Sequence, residues 1–240
     1  MLPCVVNNIS AAYRDRLAVN QVSFSVSPGE IMAILGANGA GKSTLIKAML
    51  ELIPRRNGQV HYFGKELSKS RKKIAYMPQS ASIDWDFPAR VKDVVLMGTY
   101  AKLGWLRRPR ASEHQAALNA MQQLDIADLA NRQISELSGG QKQRTFVARA
   151  IAANAELLVL DEPFAGVDMK TEKTILRVLQ SLAESGKTII LVHHDLATVR
   201  SFCSSVLLLR EGELVATGSL DQAFTSENIA YAYGIEGVTS

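Results

Sequence analysis

The chain alternates between short, continuous apolar runs and longer segments in which apolar residues recur every three or four positions. A short apolar run bounded by turn-forming residues is typical of a buried strand, whereas the longer recurrence indicates a helix with one buried face. The predicted strands span residues 5–9, 22–26, 31–35, 60–63, 74–77, 157–160, 188–192, 206–209 and 213–217. The predicted helices span residues 45–52, 91–100, 112–124, 139–153 and 169–185. Strands that alternate with helices predict an α/β fold with a mostly parallel sheet and flanking helices.

The order of these elements divides the chain into parts. Residues 3–26 contain two strand-like segments without a helix, and Arg56-Asn57-Gly58 is a hairpin signal, so an antiparallel β subdomain is expected beside the core. Residues 80–155 contain helices and turns after one of the strands, which indicates an inserted helical subdomain. We therefore predict a single domain over residues 1–233 and a flexible tail over residues 234–240.

Residues 36–44, Gly-Ala-Asn-Gly-Ala-Gly-Lys-Ser-Thr, carry the strongest chemical signal. They fit the pattern G-x-x-x-x-G-K-[ST] and lie between a predicted strand and a predicted helix. Glycines leave the backbone N–H groups of such a turn open to phosphate, and the helix N-terminus adds partial positive charge. In this pattern Lys42 reaches the β- and γ-phosphates and the Ser43 hydroxyl binds Mg²⁺. A glycine turn that binds nothing is the alternative, but the pattern and both flanks favour a P-loop NTPase core.

Two carboxylates, Asp161 and Glu162, follow the apolar run at 157–160. A buried strand that delivers an aspartate beside a phosphate loop suits a Mg²⁺ ligand, usually through water. Glu162 would then be able to accept a proton from an attacking water. Two acids after a strand more often only begin a loop, and it is their pairing with residues 36–44 that favours the functional interpretation.

A second anion site is predicted at Ser138-Gly139-Gly140-Gln141, at the start of the helix 139–153. Serine is a favoured helix cap, and the N-terminal amides of a helix attract anions. On its own, Ser-Gly-Gly is usually no more than a cap. In this chain it would be a second phosphate-binding element.

Composition and charge narrow the class of protein. The 240-residue chain is 47% hydrophobic and 21% charged, with a net charge of +4. Basic clusters at residues 65–73 and 107–110 lack interleaved aromatic residues, so we expect solvated turns and no nucleic-acid partner. The sequence shows no apolar run of membrane-spanning length and no signal-peptide pattern, which predicts a cytoplasmic location. Cys4 and Cys203 are far apart and lack metal-site spacing, so reduced thiols are expected.

Taken together, these segments resemble the nucleotide-binding subunit of an ABC transporter, and the resemblance covers nearly the whole chain. In chain order, Tyr13 resembles the aromatic residue that stacks on adenine, residues 36–44 resemble the Walker A loop, and Gln79 resembles the Q-loop glutamine. Residues 137–141 are similar to the family signature, with Gln143-Arg144 after it. Asp161 and Glu162 resemble the Walker B pair, Asp168 resembles the aspartate of the D-loop, and His194 resembles the switch histidine. The D-loop departs from the common Ser-x-Leu-Asp, because Ala165-Gly166-Val167 precedes Asp168.

The resemblance implies ATP hydrolysis with Mg²⁺. It makes Glu162, His194, Gln79 and Lys42 the catalytic residues and Ser43, Gln79 and Asp161 the residues that hold the metal. It assigns nucleotide binding to Tyr13, Gly36, Asn38, Gly39, Gly41, Lys42, Ser43, Thr44, Ser138, Gly139, Gly140, Gln141 and Asp168. His193 is expected to face away from His194, and a metal site made of this histidine pair is the alternative.

The family resemblance also implies that two such domains close head to tail around two ATP molecules. Ser138 and Gly140 of one copy would hold the γ-phosphate of the ATP bound at Lys42 of the other copy. ATP binding would close the dimer, and hydrolysis would open it. The two ATP-binding subunits could be identical or different.

Residues 79–98 resemble the corresponding segment of bacterial importers for manganese, zinc or iron. In the family this segment meets the membrane subunit, and Trp85, Phe87 and Met97 are candidate contacts, with packing inside the helical subdomain as the alternative for each. The implied partners are integral membrane permease subunits and an extracytoplasmic solute-binding protein, with this chain on the cytoplasmic face of the membrane. An importer of haem, siderophore or another solute, or a non-transport ABC ATPase such as one of iron–sulfur assembly, is the alternative.

Overall fold

The computed structural model describes residues 1–13, 16–80, 85, 87–103 and 108–235. Residues 236–240 of the predicted tail at 234–240, and residues 81–84 and 86 of the segment after Gln79, lie outside this part of the chain. The described residues form two compact units. The first unit contains Met1–Ser70 and the described residues from Thr188 onward, and the second unit contains Arg71–Lys187.

An antiparallel sheet of three strands occupies the N-terminal part of the first unit. Its strands are β1 (Cys4–Tyr13), β2 (Arg16–Val26) and β4 (Arg55–His61), in the order β2-β1-β4. Val22, Phe24 and Val26 are buried while their neighbours on β2 are more exposed, the alternation expected of a strand with one covered face. The predicted antiparallel β region is therefore confirmed, with longer strands than the apolar runs alone indicated.

The hairpin predicted at Arg56-Asn57-Gly58 is wrong, because these residues lie inside β4. Asn7 pairs with Gln59 and Ser10 with Asn57, so two residues of β1 oppose Gly58 alone. This is a β-bulge, an extra residue that bends one strand of a pair. Gly58 has a φ of +91°, and a Cβ atom there would lie 2.4 Å from the Asn8 carbonyl oxygen. The Asn-Gly signal therefore marks a close approach of two strands, and no chain reversal occurs there.

The remaining strands of the first unit are mainly parallel. They are β3 (Ile31–Leu35), β7 (Thr188–Val192), β8 (Ser205–Arg210) and β9 (Glu213–Ser219). The strand β3 pairs in parallel with both β7 and β8, and β9 returns antiparallel to β8. Every residue of β3 and of β7 is buried, which explains why both appear in the sequence as continuous apolar runs.

Five helices complete the first unit as described. They are α1 (Lys42–Met49), α2 (Leu67–Ser70), α8 (Leu196–Phe202), α9 (Leu220–Ala223) and α10 (Ser226–Tyr233). The predicted helix at 45–52 is confirmed but shifted, since α1 begins inside the glycine-rich segment. The two C-terminal helices were not predicted.

The second unit contains a parallel strand pair and five further helices among the described residues. The pair is β5 (Ile74–Met77) with β6 (Leu157–Leu160), and the helices are α3 (Val91–Met97), α4 (Tyr100–Leu103), α5 (Ala111–Gln123), α6 (Gly139–Ala152) and α7 (Met169–Glu184). The predicted helix at 91–100 is interrupted at Gly98, where the chain passes so close to the Arg149 carbonyl of α6 that a side chain would not fit. No helix in the described part of the chain is long and apolar enough to span a bilayer.

Candidate nucleotide-binding site

The glycine-rich segment links β3 to α1 in the first unit, as the sequence pattern predicts. Gly41 stands at the N-cap of α1 with a φ of +101°, and a Cβ atom there would lie 2.5 Å from the Ala18 carbonyl oxygen of β2. Because glycine has no cap side chain, nothing at this position competes with an anion for the first amide groups of α1. Asn38 and Gly39 are exposed at the tip of the loop. The loop thus presents backbone donors on a helix N-terminus, which fits a phosphate group.

Lys42 lies across this loop. Its Nζ donates hydrogen bonds to the carbonyl oxygens of Gly36, at 2.7 Å, and Ala37, at 2.9 Å, and the residue is 8% exposed. Ser43 and Thr44 follow on the first turn of α1 and are half-buried. A cationic group held by loop carbonyls beside open amide donors is suited to bind the charged oxygens of a nucleotide.

The turn between β8 and β9 supports the same loop. The Gly212 amide donates to the Ala40 carbonyl at 3.0 Å, and the Asn20 amide of β2 donates to the Gly212 carbonyl at 2.8 Å. A cavity of about 810 Å³ lies here, lined by Leu17, residues 37–40 and the C-terminal residues 232–234 among others. The side chain of Tyr13, the predicted adenine-stacking residue, lies outside the described part of the structure.

The C-terminal helix α10 reaches this cavity, which sequence reasoning missed. Arg210 donates to the Tyr231 carbonyl at 3.1 Å, and its guanidinium carbon lies 4.5 Å from the centre of the Tyr231 ring. Burial raises the pKa of Tyr233, and the backbone of Gly36 beside its hydroxyl opposes that shift. Helix α10 is short and weakly amphipathic, so its position beside the phosphate loop left no local signal in the sequence.

His193 and His194 follow directly after β7. His193 is 3% exposed and His194 is exposed, which agrees with the prediction that the neighbours face opposite ways. Their ring centres are 5.5 Å apart. Burial lowers the pKa of His193 to about 4, and the adjacent His194 contributes to the shift. His193 is therefore a neutral, buried side chain, whereas His194 can reach a solvent-borne ligand.

In the second unit, β6 ends at the acidic pair. Asp161 is completely buried, and its amide donates to the Met77 carbonyl at 2.9 Å. Glu162 is half-buried, and its Oε2 accepts a hydrogen bond from Gln79 Nε2 at 3.0 Å. The structure therefore brings together two of the predicted catalytic residues, 83 positions apart in the chain.

The signature segment caps α6. Ser138 Oγ accepts from the Gln141 amide at 3.4 Å, and Gln141 Oε1 accepts from the Ser138 amide at 2.9 Å. This reciprocal capping box leaves Ser138 and Gly139 exposed at the helix N-terminus. Asp168 is likewise exposed and caps α7, and the hydrogen bond from the Thr171 amide lowers the pKa of its carboxyl group.

Gln143, on the second turn of α6, is a further polar residue at this site. It is 2% exposed, and its Nε2 donates to the Glu162 carbonyl at 2.8 Å. The sequence placed Gln143 next to the signature without assigning it a role. Its contact with Glu162 depends on tertiary packing, so no spacing rule could have found it.

Comparison with known proteins identifies related chains. Residues 19–165 match the family model described as ABC transporter. The manganese transport system ATP-binding protein MntB of Listeria monocytogenes is 48% identical over 229 residues, which cover 95% of each chain. The zinc transport system ATP-binding protein TroB of Treponema pallidum is 47% identical, over 95% of this chain and 86% of that protein.

Solved structures show the same similarity. A metal-chelate type ABC transporter in an inward-facing conformation aligns with a TM-score of 0.83 and 30% identity, over 96% of this chain and 88% of that one. The dimeric ATP-binding cassette MJ0796, in a post-hydrolysis state bound to ADP and Pi, aligns with a TM-score of 0.80 and 27% identity, over 90% of this chain and 98% of that one.

Proposed function

Because the chain belongs to the ABC transporter family, we propose that it is the ATP-binding and ATP-hydrolysing subunit of a bacterial importer for a divalent metal ion. The observation that carries this proposal is the sequence similarity, 47–48% identity over 95% of this chain, to subunits named for manganese and for zinc transport. Because both relatives are named for metal ions, we favour a metal ion over other solutes as the transported species. Iron is the third candidate, from the subgroup resemblance of residues 79–98.

The phosphate loop supplies the binding part of this activity. Lys42 would exchange its two carbonyl partners for the β- and γ-phosphate oxygens, because a charged acceptor is stronger than a neutral carbonyl. The amides at the start of α1, with Gly36, Asn38, Gly39, Gly41 and Thr44, would surround the phosphates. Tyr13 would stack on the adenine.

Mg²⁺ fits the donors available on this chain. Hydroxyl, amide and carboxylate oxygens are the ligands that it prefers, and Ser43, Gln79 and Asp161 offer one of each. Asp161 is completely buried, a costly position for a carboxylate unless a hydrogen bond or a cation compensates its charge. When bound, Mg²⁺ would neutralise charge on the β- and γ-phosphates.

The protein residues would carry the proton transfer. Glu162 would accept the proton of the attacking water at its carboxylate, and Gln79, already hydrogen-bonded to that carboxylate, would orient it. His194 would hydrogen-bond the γ-phosphate and position the water.

The proposed assembly is a pair of ATP-binding subunits on the cytoplasmic face of the membrane, with permease subunits and an extracytoplasmic binding protein. The segment Ser138, Gly139, Gly140 and Gln141, whose first two residues are exposed, and the exposed Asp168 would meet the nucleotide of the partner subunit. For the permease contact we favour Phe87, which is 52% exposed, over Trp85, which packs against Phe146 with ring centres 5.0 Å apart.

Uptake by reconstituted vesicles tests the proposal. The chain would be co-purified with its native membrane partner, and uptake of Mn²⁺, Zn²⁺ and Fe²⁺ would be measured with ATP supplied on the cytoplasmic side. We expect ATP-dependent uptake of one of these ions. Glu162→Gln should retain ATP binding and lose uptake and turnover, since the amide cannot accept the proton. Glu184→Gln, which removes an exposed carboxylate at the end of α7, is the matched control.

Each contrary result has a distinct meaning. Normal ATP turnover by Glu162→Gln would show that the base is assigned wrongly. Uptake of a metal chelate without uptake of free ions would support the alternative importer class, which the similarity to the metal-chelate type transporter favours. ATP hydrolysis with no membrane partner recovered and no uptake would support a non-transport ATPase.

A further inference from the structure

We propose that Gln143 is a positioning residue that holds the backbone of Glu162 in the conformation required for hydrolysis and connects that backbone to Ser80, the residue after Gln79. The inference rests on the proposed role of Glu162 as the base. It concerns a buried amide on α6 that neither phosphate binding nor the capping of the signature helix uses.

The backbone of Glu162 needs such support. Its φ is +54°, in the left-handed region that residues with a side chain seldom occupy. A conformation of this kind persists only where the surroundings hold it in place. Because the direction of the Glu162 carboxylate depends on this backbone angle, relaxation of the angle would move the carboxylate from its position.

Two donors hold the Glu162 carbonyl. Gln143 Nε2 lies 2.8 Å from this oxygen, and the Ala165 amide lies 3.2 Å from it. The side chain of Glu162 is held separately, by Gln79 Nε2 at 3.0 Å. The longer Ala165 bond closes the local turn, so Gln143 is the tertiary contact that connects this turn to α6.

The orientation of the Gln143 amide is itself fixed. Its Oε1 accepts a hydrogen bond from Ser80 Oγ at 3.1 Å while its Nε2 donates to Glu162. An amide that turned over would place its Oε1 against the Glu162 carbonyl oxygen, with no proton between the two acceptors, so Glu162 selects one orientation and the Ser80 hydroxyl, which donates to Oε1, helps to hold it. With 2% exposure, the side chain has little water to replace either partner.

Ser80 belongs to residues 79–98, the segment expected to contact the membrane permease. The Ser80 carbonyl accepts from Trp85 Nε1 at 3.2 Å, and the Trp85 ring packs on Phe146, three residues after Gln143 on α6. A displacement of Ser80 would therefore remove one of the two contacts that orient the Gln143 amide. This provides a contact route from the Q-loop to the backbone of Glu162, in addition to the direct bond from Gln79.

The test is Gln143→Met, which keeps the length of the side chain and removes both hydrogen bonds. We expect kcat for ATP hydrolysis to fall roughly 10- to 100-fold, because a small misplacement of a catalytic group has effects of this size. KM for ATP and the equilibrium binding of ATP should stay within about threefold, since phosphate binding does not involve Gln143. Thr174→Val, which removes a buried hydroxyl from α7 in the same unit, is the control and should leave kcat unchanged.

A second pair of variants separates positioning from general stability. Ser80→Ala leaves the Gln143–Glu162 bond but frees the amide, so kcat should fall by a few fold at unchanged KM. In the Glu162→Gln background, Gln143→Met should cause no further loss of the slow residual hydrolysis measured in a single turnover with excess protein, because a residue that acts through Glu162 has nothing left to position.

The outcomes are distinct. Unchanged kcat in both Gln143→Met and Ser80→Ala would overturn the inference, as would an additive loss in the Glu162→Gln background. Normal turnover by Glu162→Gln alone would instead refute the assignment of the base, whatever the Gln143 variants do.

Discussion

At the scale of single residues, burial decides which side chains of the site can change their charge. Lys42 is nearly inaccessible, but two carbonyl oxygens solvate its ammonium group within the loop. His193 is equally buried, and its pKa is lowered to about 4. A buried cation with oxygen partners is retained, whereas a buried imidazole in a less favourable environment stays neutral. The lysine can therefore serve phosphate binding, and His193 serves the packing behind His194.

The lowered pKa of His193 predicts a specific pH dependence of stability. Above about pH 6.5 the imidazole is neutral in the folded and unfolded chain, so it contributes no slope. As pH falls from about 6.5 to about 4, the unfolded chain binds a proton that the folded chain excludes, and stability decreases by up to about 3 kcal/mol. Urea unfolding of the unaltered chain and of His193→Phe across this range measures the free energy of unfolding at each pH. This free energy should fall less steeply with decreasing pH in the variant.

His114 provides the control for this measurement. It is exposed on α5, so His114→Gln should leave the pH profile as it is. If the profiles of the unaltered chain and of His193→Phe run parallel between pH 4.5 and 7, another group is responsible for any loss of stability in acid.

At the scale of elements, apolar periodicity predicted the bounds of those helices that bury one face in the core. The helices α5, α6 and α7 lie within one residue of their predicted bounds, because each has a face that packs in the core. Elements fixed by local turn chemistry were less predictable. The start of α1 at Lys42 depends on the backbone of the glycine-rich loop, and α9 and α10 are too short to show a clear period.

The same distinction applies to the site. A sequence pattern predicts residues that act through fixed spacing, and it is the basis of the predictions for the phosphate loop and the acidic pair. The contacts of Gln143 with Glu162 and of α10 with the phosphate loop join residues from distant segments. Only the folded chain shows such contacts, since neither residue type nor spacing marks them.

The bulge of β1 opposite Gly58 gives a prediction at this scale. Gly58→Ala should destabilise the chain by more than about 2 kcal/mol, because it adds a steric clash with β1 to the strain of a positive φ. Gly64→Ala is the matched control in the same unit. Its φ is +69°, but a Cβ atom there would meet only the flexible side chain of Met1. Its cost should be about 1 kcal/mol. Equal losses in chemical denaturation would show that β1 can move away from Gly58.

At the scale of the whole molecule, the proposed phosphate-binding groups of this chain are of two kinds. The loop before α1 combines a buried lysine with open amide donors, whereas the N-terminus of α6 is exposed and capped by its own Ser138. An exposed helix terminus with small residues is accessible to a phosphate carried by another molecule. This asymmetry supports the proposed head-to-tail pair, in which the two kinds of group meet across the interface.

Mixing two inactive variants tests that arrangement. In a head-to-tail dimer, Lys42→Ala alone damages both nucleotide sites, and so does Ser138→Arg alone. A mixed dimer places both defects in one site and leaves the other intact. At equal amounts half of the dimers are mixed, so ATPase activity should recover to about a quarter of the unaltered level by symmetry. Lys42→Ala mixed with Glu162→Gln should not recover, since those residues are proposed to act on the same nucleotide. A Lys42→Ala and Ser138→Arg mixture that forms mixed dimers yet stays inactive would contradict the head-to-tail arrangement.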